Sequence, residues 1–133
     1  MSLSTDECHL IPGEVDLPML KTIYHGGVTL RLADSARDEV LKAHETVTAI
    51  VKTGKVTYGI NTGFGKLAQT SIPAARLAEL QRNLVLSHSV GLGDLLPDNV
   101  TRLGVATKII SLARGDSGVR IALIDALLAP FNA

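Results

Sequence analysis

Tryptophan is absent from these 133 residues, there are only two tyrosines and two phenylalanines, and cysteine occurs once, at Cys8. A lone cysteine excludes an intrachain disulfide, makes a reducing cytoplasmic setting the default, and has little support here as a nucleophile. With aromatic residues at 3%, no platform for base stacking is present. Neither sign of charge is in excess: 13 lysines and arginines balance 13 aspartates and glutamates, and no basic run is longer than a pair. The electrostatic footprint expected for nucleic acid or anionic lipid is therefore missing. No uninterrupted apolar segment approaches the length of a membrane span, and a start containing Asp6, Glu7 and His9 lacks a signal-peptide pattern. A soluble protein with neither nucleic acid nor membrane as partner is expected. Met1-Ser2-Leu3 reads in part as an expression remnant.

What is present is a 46% hydrophobic chain, enough to build the core of one modest domain or of a fragment of something larger. Apolar residues around Cys8–Ile11 and Val28–Leu32, bounded by Pro12-Gly13 and Gly26-Gly27, predict two short strands with a helix over Leu17–His25 between them. A second helix is expected from Asp34 or Ser35, either of which can cap it, to Thr53 before Gly54; Val40, Ala43, Val47 and Ile50 mark its apolar face. Val56–Tyr58 reads as a brief extended piece. From Pro73 a third helix places Leu77, Leu80, Leu84 and His88 on one face, and Gly91 and Gly93 stop it. A fourth, Pro97–Ala113, is apolar around more than one stripe, and a fifth, Val119–Leu128, follows the Gly115–Gly118 break. The last two helices either form this domain's own core or present an interface. The fold class is mainly α, with short β-strands near the N-terminus.

Several motifs are decoys. Gly63-Phe64-Gly65-Lys66-Leu67-Ala68 satisfies a loose dinucleotide pattern without the strand, turn and helix it requires. A Walker A reading fails because Leu67 stands where a hydroxyl is needed and Ile60 where the first glycine is needed. His9, His25, His44 and His88 contain no pair at three or four residue spacing, so no metal site is expected. Asp116-Ser117-Gly118 lacks a lipase-type surround and reads as a helix break with Asp116 or Ser117 capping the next helix. Tyr24 reads as a packing or surface residue.

Tyr58-Gly59-Ile60-Asn61-Thr62-Gly63-Phe64-Gly65 is different. It joins a phenol, an amide and a hydroxyl to three glycines that can reach positive φ and admit a close approach. A structural turn needs one glycine and an Asx residue. The candidate functional residues are therefore Tyr58 as proton acceptor and Asn61 as polar anchor, within the loop of Gly59, Gly63, Phe64 and Gly65. His88, in Ser87-His88-Ser89 ahead of Val90-Gly91-Leu92-Gly93, is added as a histidine able to orient an ionisable substrate.

Three segments in order carry a resemblance. Tyr58 through Ala68, Leu80-Gln81-Arg82-Asn83-Leu84-Val85-Leu86-Ser87-His88, and Ser111-Leu112-Ala113-Arg114-Gly115 with Ser117-Gly118-Val119-Arg120 are similar to signatures of the N-terminal portion of the histidine ammonia-lyase family. These are aromatic amino acid ammonia-lyases, and the likeness runs from about Leu10 to the C-terminus. It implies the N-terminal domain of the fumarase/aspartase-like ammonia-lyase fold. It also implies non-oxidative elimination of ammonia from L-histidine to give trans-urocanate, in a cytoplasmic homotetramer devoted to histidine catabolism. Tyr58 would then take the β-proton, a role that needs the phenol deprotonated, which nearby positive charge or hydrogen bonding favours. The glycine loop would close over the substrate, and His88 would contact its side chain.

The family's electrophile is a methylidene-imidazolone formed autocatalytically from an Ala-Ser-Gly triad, and no such triad occurs in this chain. The resemblance implies that it lies beyond Ala133. Residues 1–133 are thus expected to be a single N-terminal domain or a fragment of a longer ammonia-lyase, without the central helical bundle and C-terminal part, and inactive alone. The alternatives are a tyrosine or phenylalanine ammonia-lyase, an aminomutase, or a non-catalytic helical oligomerisation module.

Overall fold

The computed structural model describes residues 6–133; Met1-Ser2-Leu3 lies outside the described residues. The elements in order are β1 (Asp6–Leu10), α1 (Leu17–His25), β2 (Val28–Leu32), α2 (Asp34–Thr53), α3 (Leu77–His88), α4 (Asp98–Ala113) and α5 (Ile121–Asn132). Short 3₁₀ turns occupy Gly65–Leu67 and Ala74–Arg76. The chain divides into two compact units, Met1–Glu45 with Leu95–Ala133, and Thr46–Asp94.

In the first unit β1 and β2 pair in parallel, with Cys8 opposite Leu30. A parallel pair needs a crossover long enough to return the chain to the same end, and α1 supplies it. Asp16 caps α1, its carboxylate accepting from the Met19 N–H at 2.9 Å, while Pro18 sits in the first turn where no intrahelical donor is needed. Alternation along β2 turns Val28, Leu30 and Leu32 inward. They meet wholly buried Leu10, Ile23, Ile109 and Ile124, with Val40 of α2 and Phe131 of α5. The choice left open for the last two helices is thereby decided: α4 buries Ala106, Ile109, Leu112 and Ala113, and α5 buries Ile124, Leu128 and Phe131, in this unit's own core.

The core is closed at its edge by side chains that imitate a strand. Leu30 donates its N–H to Asn132 Oδ1 at 2.8 Å and accepts from Asn132 Nδ2 at 2.9 Å. Arg102 donates to the carbonyls of Val28 (3.0 Å) and Phe131 (3.1 Å) and lies 4.0 Å over the Phe131 ring. Asn132→Ala leaves both Leu30 groups unpaired, and a loss on the order of 1–3 kcal/mol in urea unfolding is expected. A midpoint unchanged from the parent would show that water replaces the amide without cost.

Local signals misplaced some ends. The first α2 bond runs from the Arg37 N–H to the Ala33 carbonyl (3.2 Å), so Asp34 lies inside the first turn, where its charge favours the helix's positive end, and does not cap it. Neither Asp116 nor Ser117 caps α5; Arg120 occupies that position without a side-chain bond, and Asp116 instead pairs with Arg114 at 3.0 Å. α5 continues past Leu128 and through Pro130. Pro130 lacks the N–H of a normal helical turn, yet the burial of Phe131 and the two Asn132 bonds hold the turn in place. His44 Nδ1 lies 3.0 Å from the Gly118 carbonyl and ties α2 to the turn before α5.

Candidate active site

Every residue singled out for function falls in the unit Thr46–Asp94. Past Gly54 the expected extended piece at Val56–Tyr58 does not form a strand, because Tyr58 already belongs to a turn. The Thr57 carbonyl accepts from the N–H groups of Ile60 (3.1 Å) and Asn61 (3.2 Å). The Asn61 side chain completes the closure: Oδ1 accepts from the Thr57 N–H at 2.8 Å, and Nδ2 donates to the Lys55 carbonyl at 2.9 Å. Asn61 is only 4% exposed, and each end of its amide makes a main-chain hydrogen bond.

Beyond Asn61 the chain forms a short antiparallel ladder. Thr62 bridges Ser71, Gly63 donates to the Thr70 carbonyl (3.1 Å), and Ile72 donates to the Asn61 carbonyl (2.8 Å). Thr62 is buried and donates its hydroxyl to the Gly63 carbonyl at 3.0 Å. Gly59 (φ +77°) and Gly65 (φ +57°) occupy the left-handed region as expected, whereas Gly63 does not. It is buried beside the ladder without a positive φ, so only two of the three glycines use conformations closed to other residues.

This clip presents Tyr58 outward. The phenol side chain is 66% exposed and meets Phe64 edge-on, with ring centroids 6.0 Å apart at 63°. The sequence reading placed His88 on the apolar face of its helix. Leu77, Leu80 and Leu84 of α3 are half-buried there, but His88, one turn further, is exposed because the helix ends at it. His88 Nδ1 lies 2.9 Å from the Leu84 carbonyl and 3.0 Å from Ser87 Oγ. A carbonyl only accepts, so the ring proton of a neutral imidazole belongs on Nδ1, leaving Nε2 as the acceptor. The structure thus joins Tyr58, Gly59, Asn61 and Phe64 in one stapled loop, while the hydrogen bonds of the His88 side chain are to its own helix.

A cavity of about 130 Å³ lies against Asn61, lined also by Val51, Gly54, Ile72, Pro73 and Leu77. Neither Tyr58 nor His88 lines it, and it is small beside the roughly 300 Å³ or more of ordinary ligand pockets. Tyr24 is half-buried and edge-on to His25. Cys8 fits its discounting as a nucleophile: partial burial, then the nearby Asp6 carboxylate, push its thiol above the usual value and suppress the thiolate. The structural partners Thr57, Thr62 and Ser71 escaped the sequence reading; an Asx residue four positions after a bonded N–H was the signal available.

The fold and loop define a class: the chain belongs to the aromatic amino acid lyase family, whose model matches residues 15–133. Over 124 residues it is 60% identical to a histidine ammonia-lyase of Paracidovorax citrulli (strain AAC00-1) and 49% identical to one of Idiomarina loihiensis, covering 93% of this chain and 24% of each relative. The solved histidine ammonia-lyase of Trypanosoma cruzi matches with a TM-score of 0.84 at 31% identity, over 95% of this chain and 25% of that one. An ergothionase of Treponema denticola matches with a TM-score of 0.89 over 96% and 26%, its 23% identity showing the fold alone. The chain spans about a quarter of the length of these relatives. It has the mainly helical fold of the ammonia-lyases and aminomutases, with the short strand pair at its start. Among the described residues, no helix is long and apolar enough to cross a membrane.

Proposed function

We propose that the complete protein is a histidine ammonia-lyase and that these residues are its N-terminal part, lacking the central helical bundle and C-terminal region. The observation that carries the reading is the clipped turn that holds the Tyr58 phenol outward in a chain 60% identical over 124 residues to a histidine ammonia-lyase. Tyr58 takes the proton from the β-carbon of L-histidine, the Cα–N bond breaks, the carbon–carbon double bond of trans-urocanate forms, and the amine leaves as ammonia. A phenolic base must be deprotonated to act, and a positioned base of this kind contributes about 10²–10⁴-fold. His88 offers Nε2 as an acceptor for an N–H of the substrate ring. Phe64 covers one edge of Tyr58, and the left-handed Gly59 and Gly65 give the loop the backbone freedom to close over substrate and exclude water.

The electrophile of this chemistry is a methylidene-imidazolone derived from Ala-Ser-Gly. The residues present do not fit that group: the chain holds no such triad, and in Asp116-Ser117-Gly118 the acid is engaged by Arg114. By this reading the triad lies beyond Ala133. A cytoplasmic homotetramer serving histidine degradation belongs to the same reading and rests on the resemblance.

A tyrosine-directed enzyme is the second reading, favoured by the likeness to a tyrosine aminomutase of Streptomyces globisporus (TM-score 0.86, 26% identity). Substrate profiling of the complete protein separates the two. Conversion of histidine to urocanate at a kcat/KM at least about tenfold above that for tyrosine or phenylalanine is expected, an ordinary margin where a polar substrate group must be matched. Preference for tyrosine, or a β-amino acid product, would reject the histidine reading.

A further inference from the structure

We propose that Asn61 is a positioning residue that acts on the reaction only through Tyr58, and is not a polar anchor for the substrate. The inference rests on the assignment of Tyr58 as base. An amide that binds substrate must reach it, and Asn61 is nearly buried with one N–H and one Oδ1 lone pair already committed to main chain. Its Oδ1 is committed to the Thr57 N–H at 2.8 Å, its Nδ2 to the Lys55 carbonyl at 2.9 Å, and the residue is 4% exposed. These two partners lie one and three residues before Tyr58 in sequence. The third link is the Asn61 N–H on the Thr57 carbonyl at 3.2 Å, so residue 61 grips both the donor and the acceptor of residue 57.

The grip makes mechanical sense on this chain. Gly59 follows Tyr58 at φ +77° with nothing within 4 Å of where a Cβ would stand, so no packing on that side restrains the turn. The Tyr58 ring itself is two-thirds exposed and meets Phe64 edge-on. The direction of the phenol is therefore set by the main chain at Thr57, and Asn61 sets that main chain. On the other side Asn61 is anchored by its own carbonyl, which accepts from the Ile72 N–H at 2.8 Å beside the Thr62–Ser71 bridge. Asn61 is the joint between a fixed ladder and the residue that does the chemistry. Displacement of a reacting group by about 1 Å is enough to cost on the order of 10²-fold.

A double-mutant cycle in the complete protein tests this. Asn61→Ala is expected to lower kcat for histidine by roughly 10- to 100-fold with KM changed less than about threefold. In a Tyr58→Phe background the same substitution is expected to cost nothing further, because the group it positions is gone. An equal loss in both backgrounds, or a rise in KM alone, would overturn the proposal and return Asn61 to substrate contact or general stability. Where the alanine variant does not fold, Asn61→Asp keeps the acceptor toward Thr57, loses the donor toward Lys55, and is read in the same cycle. The base assignment fails separately, if Tyr58→Phe alone keeps the parent rate.

Discussion

In the complete protein, Tyr58→Phe is expected to lower kcat for histidine deamination by about 10²- to 10⁴-fold, the range a positioned general base supplies. The melting temperature should stay within about a degree or two, since surface changes away from special features are nearly neutral. The structural half follows from how little the fold asks of the hydroxyl. The side chain is 66% exposed, and its recorded contact, the edge-on meeting with Phe64, is one that a phenyl ring keeps. The turn that presents it is made by Thr57, Ile60 and Asn61, none of whose bonds involves the phenol. The catalytic half follows from removing the hydroxyl to which the proposed function assigns the β-proton while leaving the ring in place. Because the lost interaction exists in the transition state, kcat and kcat/KM should fall together with KM little changed. Steady-state kinetics beside a thermal melt decides it. A near-parental rate would make the loop an interface element and return the chain to the oligomerisation reading.

Gly115→Ala is expected to destabilise the fold by on the order of 3 kcal/mol, from left-handed strain of about 1–2 kcal/mol and an overpacking cost of similar size. Gly115 closes α4 at φ +76°. A Cβ there would stand 2.9 Å from the Glu39 carbonyl oxygen and 3.0 Å from its carbon. Those atoms are helical backbone in the middle of α2 and cannot swing aside like a side-chain tip. Gly59→Ala is the control, with the same sign of φ (+77°) but open space around the new methyl, so only the strain of roughly 1–2 kcal/mol should be felt. Urea unfolding of both variants measures the difference. Equal losses would show that α2 yields to the added carbon and that the close approach at Gly115 carries no cost.

Much of the architecture was legible because it rests on local chemistry. α1 was placed at its observed bounds, since Pro18, the apolar spacing of Met19, Leu20 and Ile23, and the Gly26-Gly27 stop all agree. α2 and α4 were readable for the same reason. The ends failed where a distant partner outweighed the local signal. Nothing near Pro130 announces that α5 continues through it; the reason lies 102 residues away, at Leu30, whose backbone is satisfied by Asn132. Asp116 looked like a cap and was drawn instead to Arg114. His88 carried the right spacing for a buried face, but a helical face is buried only where something packs on it, and the last turn of α3 is bare.

For the site, residue types were legible and their division of labour was not. Tyr58, His88 and the glycine loop stand out from composition, order and resemblance, because a phenol among glycines has no structural excuse. That Asn61 is buried, that Gly63 has no positive φ, and that Val85, Leu86, Val90 and Leu92 of the second unit are exposed, needed three dimensions. The sequence by itself determined the helical pattern and the family, and it singled out Tyr58 as the candidate proton acceptor, since each is written in contiguous residues. Only the tertiary structure decided which polar groups are spent and which remain available. A hydrogen bond such as that between Asn61 and Lys55, or Asn132 and Leu30, depends on where the backbone returns in space, and no periodicity encodes that return.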